Sequence, residues 1–196
     1  EEAIAFFGRI DILVNNGGIS QRSLAKDTDI SVDKRLMDIN YLGTVALTKA
    51  VLPHFIKNQS GQFVVTTSIV GKIGTPLRST YAATKHALHG FFDSLRAEHH
   101  NDNIAVTLVC PGFVNTNIAR NALTGDGSQQ NQQDNATEKG LSTYVFAKRM
   151  IKAIQKEKFE AFRDSLFDLF NGKYAESTIS PTPDRTSFGP NAGNIR

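Results

Sequence analysis

Along the first 158 residues, short continuous apolar runs alternate with longer stretches in which apolar positions recur at helical spacing. Residues 1–7 (EEAIAFF) predict the end of a helix, stopped by Gly8, which can take the left-handed conformation. Residues 10–14 (IDILV) predict a buried strand that runs into the turn Asn15-Asn16-Gly17-Gly18. Ser31 is the expected N-cap of one long amphipathic helix over about 32–57, its apolar stripe formed by Leu36, Ile39, Ala46, Leu47, Ala50, Val51 and Phe55. A second strand, opened by Gly61 and centred on residues 63–67, delivers Ser68 at its carboxyl end. After a loop holding Gly71, Gly74 and Pro76 come a helix over 80–99, a strand over 104–109 that stops at Pro111-Gly112, and a helix over 142–158. This alternation predicts an α/β fold with a parallel sheet. Residues 125–135 (GDGSQQNQQDN) have almost no apolar content and predict a mobile loop, while residues 157–170 read as a helix. From residue 172 the pattern is lost, and three of the six prolines fall in the last 16 residues, which predicts a disordered tail over 172–196.

Composition narrows the function classes. With 40% hydrophobic and 21% charged residues and no apolar run near the ~18–20 residues of a membrane span, the chain reads as an ordinary soluble domain. The net charge of +3 comes from interspersed signs, which argues against nucleic acid as a partner. Cys110 alone can form neither an internal disulfide nor a cysteine metal site, and no secretory or transit signal is visible, so the expectation is a cytoplasmic protein. Of the five histidines, His86 and His89 share a helix face and His99 and His100 point apart. No carboxylate or cysteine completes a ligand set by spacing, so no metal is expected and Cys110 reads as packing.

The chemistry lies at the strand ends, where parallel α/β sheets collect ligands. The Gly17-Gly18 turn lets backbone approach a flat ligand, Ser68 offers a hydroxyl to a carbonyl, and Pro111-Gly112 forms another wall. Tyr81 and Lys85, four apart in Tyr81-Ala82-Ala83-Thr84-Lys85, share a helix face; an ammonium near a phenol lowers its pKa and makes Tyr81 a candidate proton donor. Any one of these features recurs by chance. Their order is the stronger signal, with Ser68 13 residues before Tyr81 and Asn40 28 residues before Ser68.

In that order the chain resembles the short-chain dehydrogenase/reductase family, in its single-domain branch that uses NAD or NADP. The likeness covers residues 1–158: Asn15-Asn16-Gly17-Gly18 is similar to the family's Asn-Asn-Ala-Gly turn, with Gly17 in place of Ala, and Asn40 with Gly43 is similar to its helix Asn. Ser68 with Tyr81 and Lys85 is similar to its Ser and Tyr-x-x-x-Lys, and Pro111-Gly112-Phe113-Val114-Asn115-Thr116 to its nicotinamide-side turn. The resemblance implies a Rossmann-like doubly wound parallel sheet and hydride transfer between a carbonyl and a secondary alcohol. It also implies the roles. Ser68 polarises the carbonyl, Tyr81 gives or takes the proton, Lys85 holds the nicotinamide ribose and lowers the Tyr81 pKa, and Asn40 binds a relay water. Asn16, Gly17, Gly18, Tyr81, Lys85, Pro111, Gly112, Val114 and Thr116 are the expected contacts of NAD(P)(H), with NADP(H) favoured. Ser68, Ile69, Val70, Tyr81 and Phe113 are the expected substrate contacts.

Against the family pattern, the Gly-rich pyrophosphate turn is absent. Three βα units of roughly 30 residues each are expected before residue 1, so residues 1–171 read as the C-terminal part of one NAD(P)-binding domain, with a substrate loop over about 117–140. The 196 residues alone are accordingly expected to be inactive, and the full-length parent to be a homodimer or homotetramer whose two long helices pack through Phe91, Phe92 and Leu95. The apolar surroundings of Ile69, Val70, Leu77 and Phe113 favour a lipophilic small-molecule substrate. Two alternatives stand beside the reductase: a non-catalytic fragment or nucleotide-sensing relative, and a nucleotide-sugar epimerase or dehydratase, which shares the Tyr-x-x-x-Lys pair. The Asn-Asn-Gly-Gly turn and the short interval from Ser68 to Tyr81 favour the reductase over the epimerase.

Overall fold

The computed structural model describes residues 2–161. A short helix α1 (Glu2–Phe7) ends at Gly8, whose φ of 81° closes it. Three longer strands follow in the expected places, β1 (Ile12–Asn15), β2 (Gly61–Thr66) and β3 (Ile104–Val109), and all pair in parallel in the order of the chain. Helices α2 (Ile30–Leu36) and α3 (Gly43–Asn58) connect β1 to β2, and α4 (Ser79–Glu98) connects β2 to β3. Beyond β3 come α5 (Asn135–Glu138), α6 (Thr143–Gln155) and a short β4 (Glu160–Ala161), which pairs in parallel with β3.

Helices cover both faces of the sheet. Phe63 and Val65 of β2 pack with Phe55 of α3, Leu88, Phe92 and Leu95 of α4, and Val106 and Leu108 of β3. Val64, one residue out of phase, faces the other way onto Val109 and Met150 of α6. Both faces are apolar because both are covered, which is why the strands read as continuous runs rather than alternating ones. Among the described residues β1 has β2 as its one partner strand, and Ile12 and Val14 remain well exposed.

Several expectations need correction. The helix over 32–57 is broken: Met37–Leu42 form a π-helical turn, in which the Gly43 N–H reaches back five residues to the Asp38 carbonyl. Asp29, not Ser31, occupies the N-cap of α2. The buried stripe runs through Val32, Leu36, Asn40, Thr44 and Thr48, spaced by four, while Ile39 (41% exposed) and Leu47 (57%) point outward. The apolar pattern misplaced this face because its middle is polar and satisfied internally, Thr44 and Thr48 each donating to the carbonyl four residues earlier. Phe92 and Leu95 are core residues and supply no surface for a partner.

Glu160 and Ala161 form a strand where the pattern over 157–170 reads as a helix, because the Leu108 and Cys110 amides of β3 recruit the Phe159 and Ala161 carbonyls. Residues 125–135 are tied down by hydrogen bonds: Thr124, Ser128 and the Ser128 amide all donate to Asp126, and the Gln130 amide donates to the Ala122 carbonyl. Polarity there serves local hydrogen bonding. The tail over 172–196 lies outside the described residues.

Candidate active site

The parallel register brings three strand ends together. Asn15 stands opposite Val65, and Thr66 opposite Val109, so the segments that leave β1, β2 and β3 emerge side by side. Between them lies a cleft of about 600 Å³ lined by Asn16, Gly17, Gly18, Ser68, Tyr81, Lys85, Pro111, Gly112, Val114 and Thr116. A smaller space of about 110 Å³ adjoins it, lined by Ile69, Val70 and Phe113 with Ser68, Tyr81, Gly112 and Val114. Ser68 and Tyr81, together with Gly112, Val114 and Ile118, border both spaces and form the partition. Every sequence-predicted contact residue is therefore in one space or the other, and Asn40 lies behind them. A third cavity of about 400 Å³ opens at the opposite ends of the strands, around Asp11, Arg96 and Ala105, away from this chemistry.

Tyr81 sits in the first turn of α4, where helix geometry places its side chain over the end of β2. The Ser68 hydroxyl acts on its phenol, which favours the phenolate. Burial pushes the phenol above its ordinary value, and the Ser68 hydroxyl and the charges of Arg22 and Arg78 pull it partly back. Lys85 shares the helix face with Tyr81 without bonding to its phenol. Lys85 Nζ donates to the Thr66 carbonyl at 2.9 Å and lies 5.8 Å from the centre of the Tyr81 ring. Burial lowers the Lys85 pKa to about 8.

Asn40 is fully buried in the π-helical turn, and its amide works as a clamp. Oδ1 accepts from the Ile19 amide at 2.8 Å, and Nδ2 donates to the Ile19 carbonyl at 2.9 Å and to Thr84 Oγ1 at 3.2 Å. Its side chain thus positions the Gly17-Gly18 turn. Gly18 packs closely there: a Cβ would come within 3.1 Å of Asn40 Oδ1 and 3.6 Å of Lys85 Nζ. Gly17 faces open space, which leaves the turn free to receive a flat ring against backbone.

Sequence reasoning missed two cations. Arg22 and Arg78 line the smaller space and converge on Asp134, with Arg22 Nη2 at 2.6 Å and Arg78 Nη2 at 3.3 Å from Asp134 Oδ2. The side chain of Arg22 is almost wholly buried, and burial and Arg22 together hold the Arg78 pKa below its usual value. Two guanidiniums share one carboxylate. The signal available in sequence was weak, an Arg four residues after the Gly17-Gly18 turn and another three before Tyr81. Leu77, grouped by its apolarity with Ile69, Val70 and Phe113 as favouring a lipophilic substrate, does not line the space.

A parallel sheet covered on both faces, with a Ser, Tyr and Lys converging at its carboxyl edge, has the Rossmann-type layout in which ligands collect at the strand ends. The sequence profile of the short chain dehydrogenase family matches residues 1–127, and the chain belongs to that family. It is 48% identical over 159 residues to the Xenopus tropicalis protein named dehydrogenase/reductase SDR family member 7B, covering 81% of this chain and 52% of that one. It is also 48% identical over 157 residues to the Anopheles gambiae protein named dehydrogenase/reductase SDR family protein 7-like, covering 80% of this chain and 50% of that one. The chain thus spans about half the length of these relatives. Among solved structures, ElxO with NADP bound superposes with a TM-score of 0.57 at 34% identity over 58% of this chain and 46% of that one. A short-chain dehydrogenase/reductase from Burkholderia phymatum in complex with NAD shares the fold, with a TM-score of 0.74 at 20% identity over 87% of this chain and 67% of that one. Among the described residues no helix is long and apolar enough to cross a membrane.

The residues present fit the nicotinamide–ribose end of such a cofactor. Gly17, Gly18 and Gly112 give a floor of backbone, and among the described residues the buried Lys85 ammonium has the Thr66 carbonyl as its one acceptor, with further N–H donors left for ribose hydroxyls.

Proposed function

We propose that the full-length protein interconverts a carbonyl compound and a secondary alcohol with NAD(P)(H), and that Tyr81 is the proton donor and acceptor. The cofactor, when bound, supplies or receives the hydride. The observation that carries the reading is that Ser68 and Tyr81 stand together on the partition between a large cleft and a small space. A carbonyl oxygen at that partition meets the Ser68 hydroxyl, which polarises it, and the Tyr81 O–H, which protonates the developing alkoxide. Lys85 holds the ribose hydroxyls behind Tyr81, and its charge there favours the phenolate in the reverse direction. Val114 and Thr116 close the nicotinamide side, and residues 117–140 form the substrate loop. NADP(H) is the favoured form, supported by the NADP bound in ElxO.

The substrate side is apolar at Ile69, Val70 and Phe113 and cationic at Arg22 and Arg78. That combination favours a ketone with an apolar body and an anionic group, a refinement of the purely lipophilic substrate expected from sequence. Assembly as a homodimer or homotetramer is supported by the apolar residues Ile39, Leu42 and Leu47, which stand exposed along the π-helical turn and α3. The test is deuteride transfer: the full-length protein, NADPH deuterated at C4 and a panel of neutral and anionic ketones, with the alcohols read by mass spectrometry. The proposal expects deuterium on the carbinol carbon of at least one ketone. Transfer to none of them overturns it.

A further inference from the structure

Helix α4, the end of β3 and strand β4 bring together three side chains that no sequence spacing connects: His89, Cys110, one residue past β3, and Glu160. Their ligand atoms all lie within 4.8 Å of one another, with Cys110 Sγ 3.7 Å from His89 Nε2 and 3.7 Å from Glu160 Oε1. This corrects the expectation that nothing completes a ligand set around His89. We propose that the three form a binding site for one Zn²⁺ ion.

Geometry supports it first. A tetrahedral zinc with Zn–S of about 2.3 Å and Zn–N of about 2.0 Å holds sulfur and nitrogen roughly 3.5 Å apart, close to the separation already present. Burial supports it second. His89 is 7% and Cys110 2% exposed, and His89 Nε2, the nitrogen that faces Cys110, has the thiol alone as partner among the described residues, so a metal would meet little competition for it.

The donor set selects the ion. One thiolate, one imidazole and one carboxylate suit zinc, with a water completing the tetrahedron. Charge balances: Cys110 gives its proton to solvent, and the thiolate and the Glu160 carboxylate neutralise the ion. Lys72, whose Nζ lies 3.1 Å from Glu160 Oε2 and whose side chain is 35% exposed, releases the carboxylate by swinging into solvent. The site stands behind both active-site turns, because Thr67, next to Ser68, donates to Cys110 Sγ at 3.2 Å, and Cys110 precedes Pro111. A metal there touches neither cavity wall residue Ser68 nor Tyr81, so its effect is to fix the two turns.

Titration of the reduced, metal-free full-length protein with Co²⁺ tests this. The expected result is one equivalent bound with a near-ultraviolet thiolate-to-cobalt band, lost on addition of Zn²⁺. Glu160→Gln and His89→Gln, which keep size and polarity, should each weaken binding at least ~100-fold while the near-ultraviolet circular dichroism stays that of the parent. Cys110→Ser should abolish the band. No thiolate band at equimolar Co²⁺, or a band unchanged in both Glu160→Gln and His89→Gln, overturns the site.

Discussion

The Lys85 ammonium donates to the Thr66 carbonyl at 2.9 Å while standing 5.8 Å from the centre of the Tyr81 ring, so the pair shares a helix face without a direct bond to the phenol. Burial lowers the Lys85 pKa to about 8 from 10.5. Between those values the unfolded chain binds the extra proton and the folded one does not, so stability rises with pH across that window. We expect a gain of up to about 3 kcal/mol in the full-length protein without cofactor, read by urea melts at the two ends of the window. In Lys85→Met the gain should vanish, and a slope equal to the parent's would contradict the assignment.

Gly17 and Gly18 are adjacent but not equivalent. Gly17→Ala meets no atom within 4 Å and should be neutral or stabilising by about 0.5 kcal/mol, with cofactor affinity retained. Gly18→Ala presses on Asn40 Oδ1 and should weaken cofactor binding severalfold. Calorimetric titration of both variants with NADPH separates them; equal affinities would show that the close approach at Gly18 is unimportant.

Replacing Asn40 by Ala leaves both polar groups of Ile19 without their partner. The expected cost is about 1–3 kcal/mol, and hydrogen exchange at the Ile19 amide should accelerate sharply. Protection at Ile19 equal to the parent's would exclude the clamp.

Arg78 is held to Asp134 by one long hydrogen bond at 3.3 Å, whereas Arg22 binds the same carboxylate at 2.6 Å and 3.1 Å. Arg78→Met should therefore spare the packing and raise KM for anionic ketones at least ~10-fold, leaving neutral ketones within a few-fold. Equal changes for both classes would remove the anion from the substrate reading.

What could be read from sequence follows from how local each signal is. The strand ends were legible because buried parallel strands are short apolar runs bounded by turns, and Tyr81 with Lys85 because four-residue spacing fixes a shared face. The helix around Asn40 was misread: Asn40, Thr44 and Thr48 are buried polar residues whose hydrogen bonds close within the fold, so an apolar stripe cannot find them. Arg22, Arg78 and Asp134 meet across 112 residues of chain, and Glu160 reaches Cys110 only through a strand pairing, so neither grouping has a sequence period.

The Tyr81 hydroxyl carries the proposed proton transfer, and Tyr81→Phe in the full-length protein tests it most directly. Removing that one oxygen leaves Lys85 and the glycine turn in place, so NADPH affinity by calorimetry should stay within a few-fold of the parent's. Turnover of a reduced ketone should fall by at least ~100-fold, as expected for the loss of a general acid. Turnover within a few-fold of the parent's, with cofactor binding intact, would contradict the assignment of Tyr81 as the proton donor.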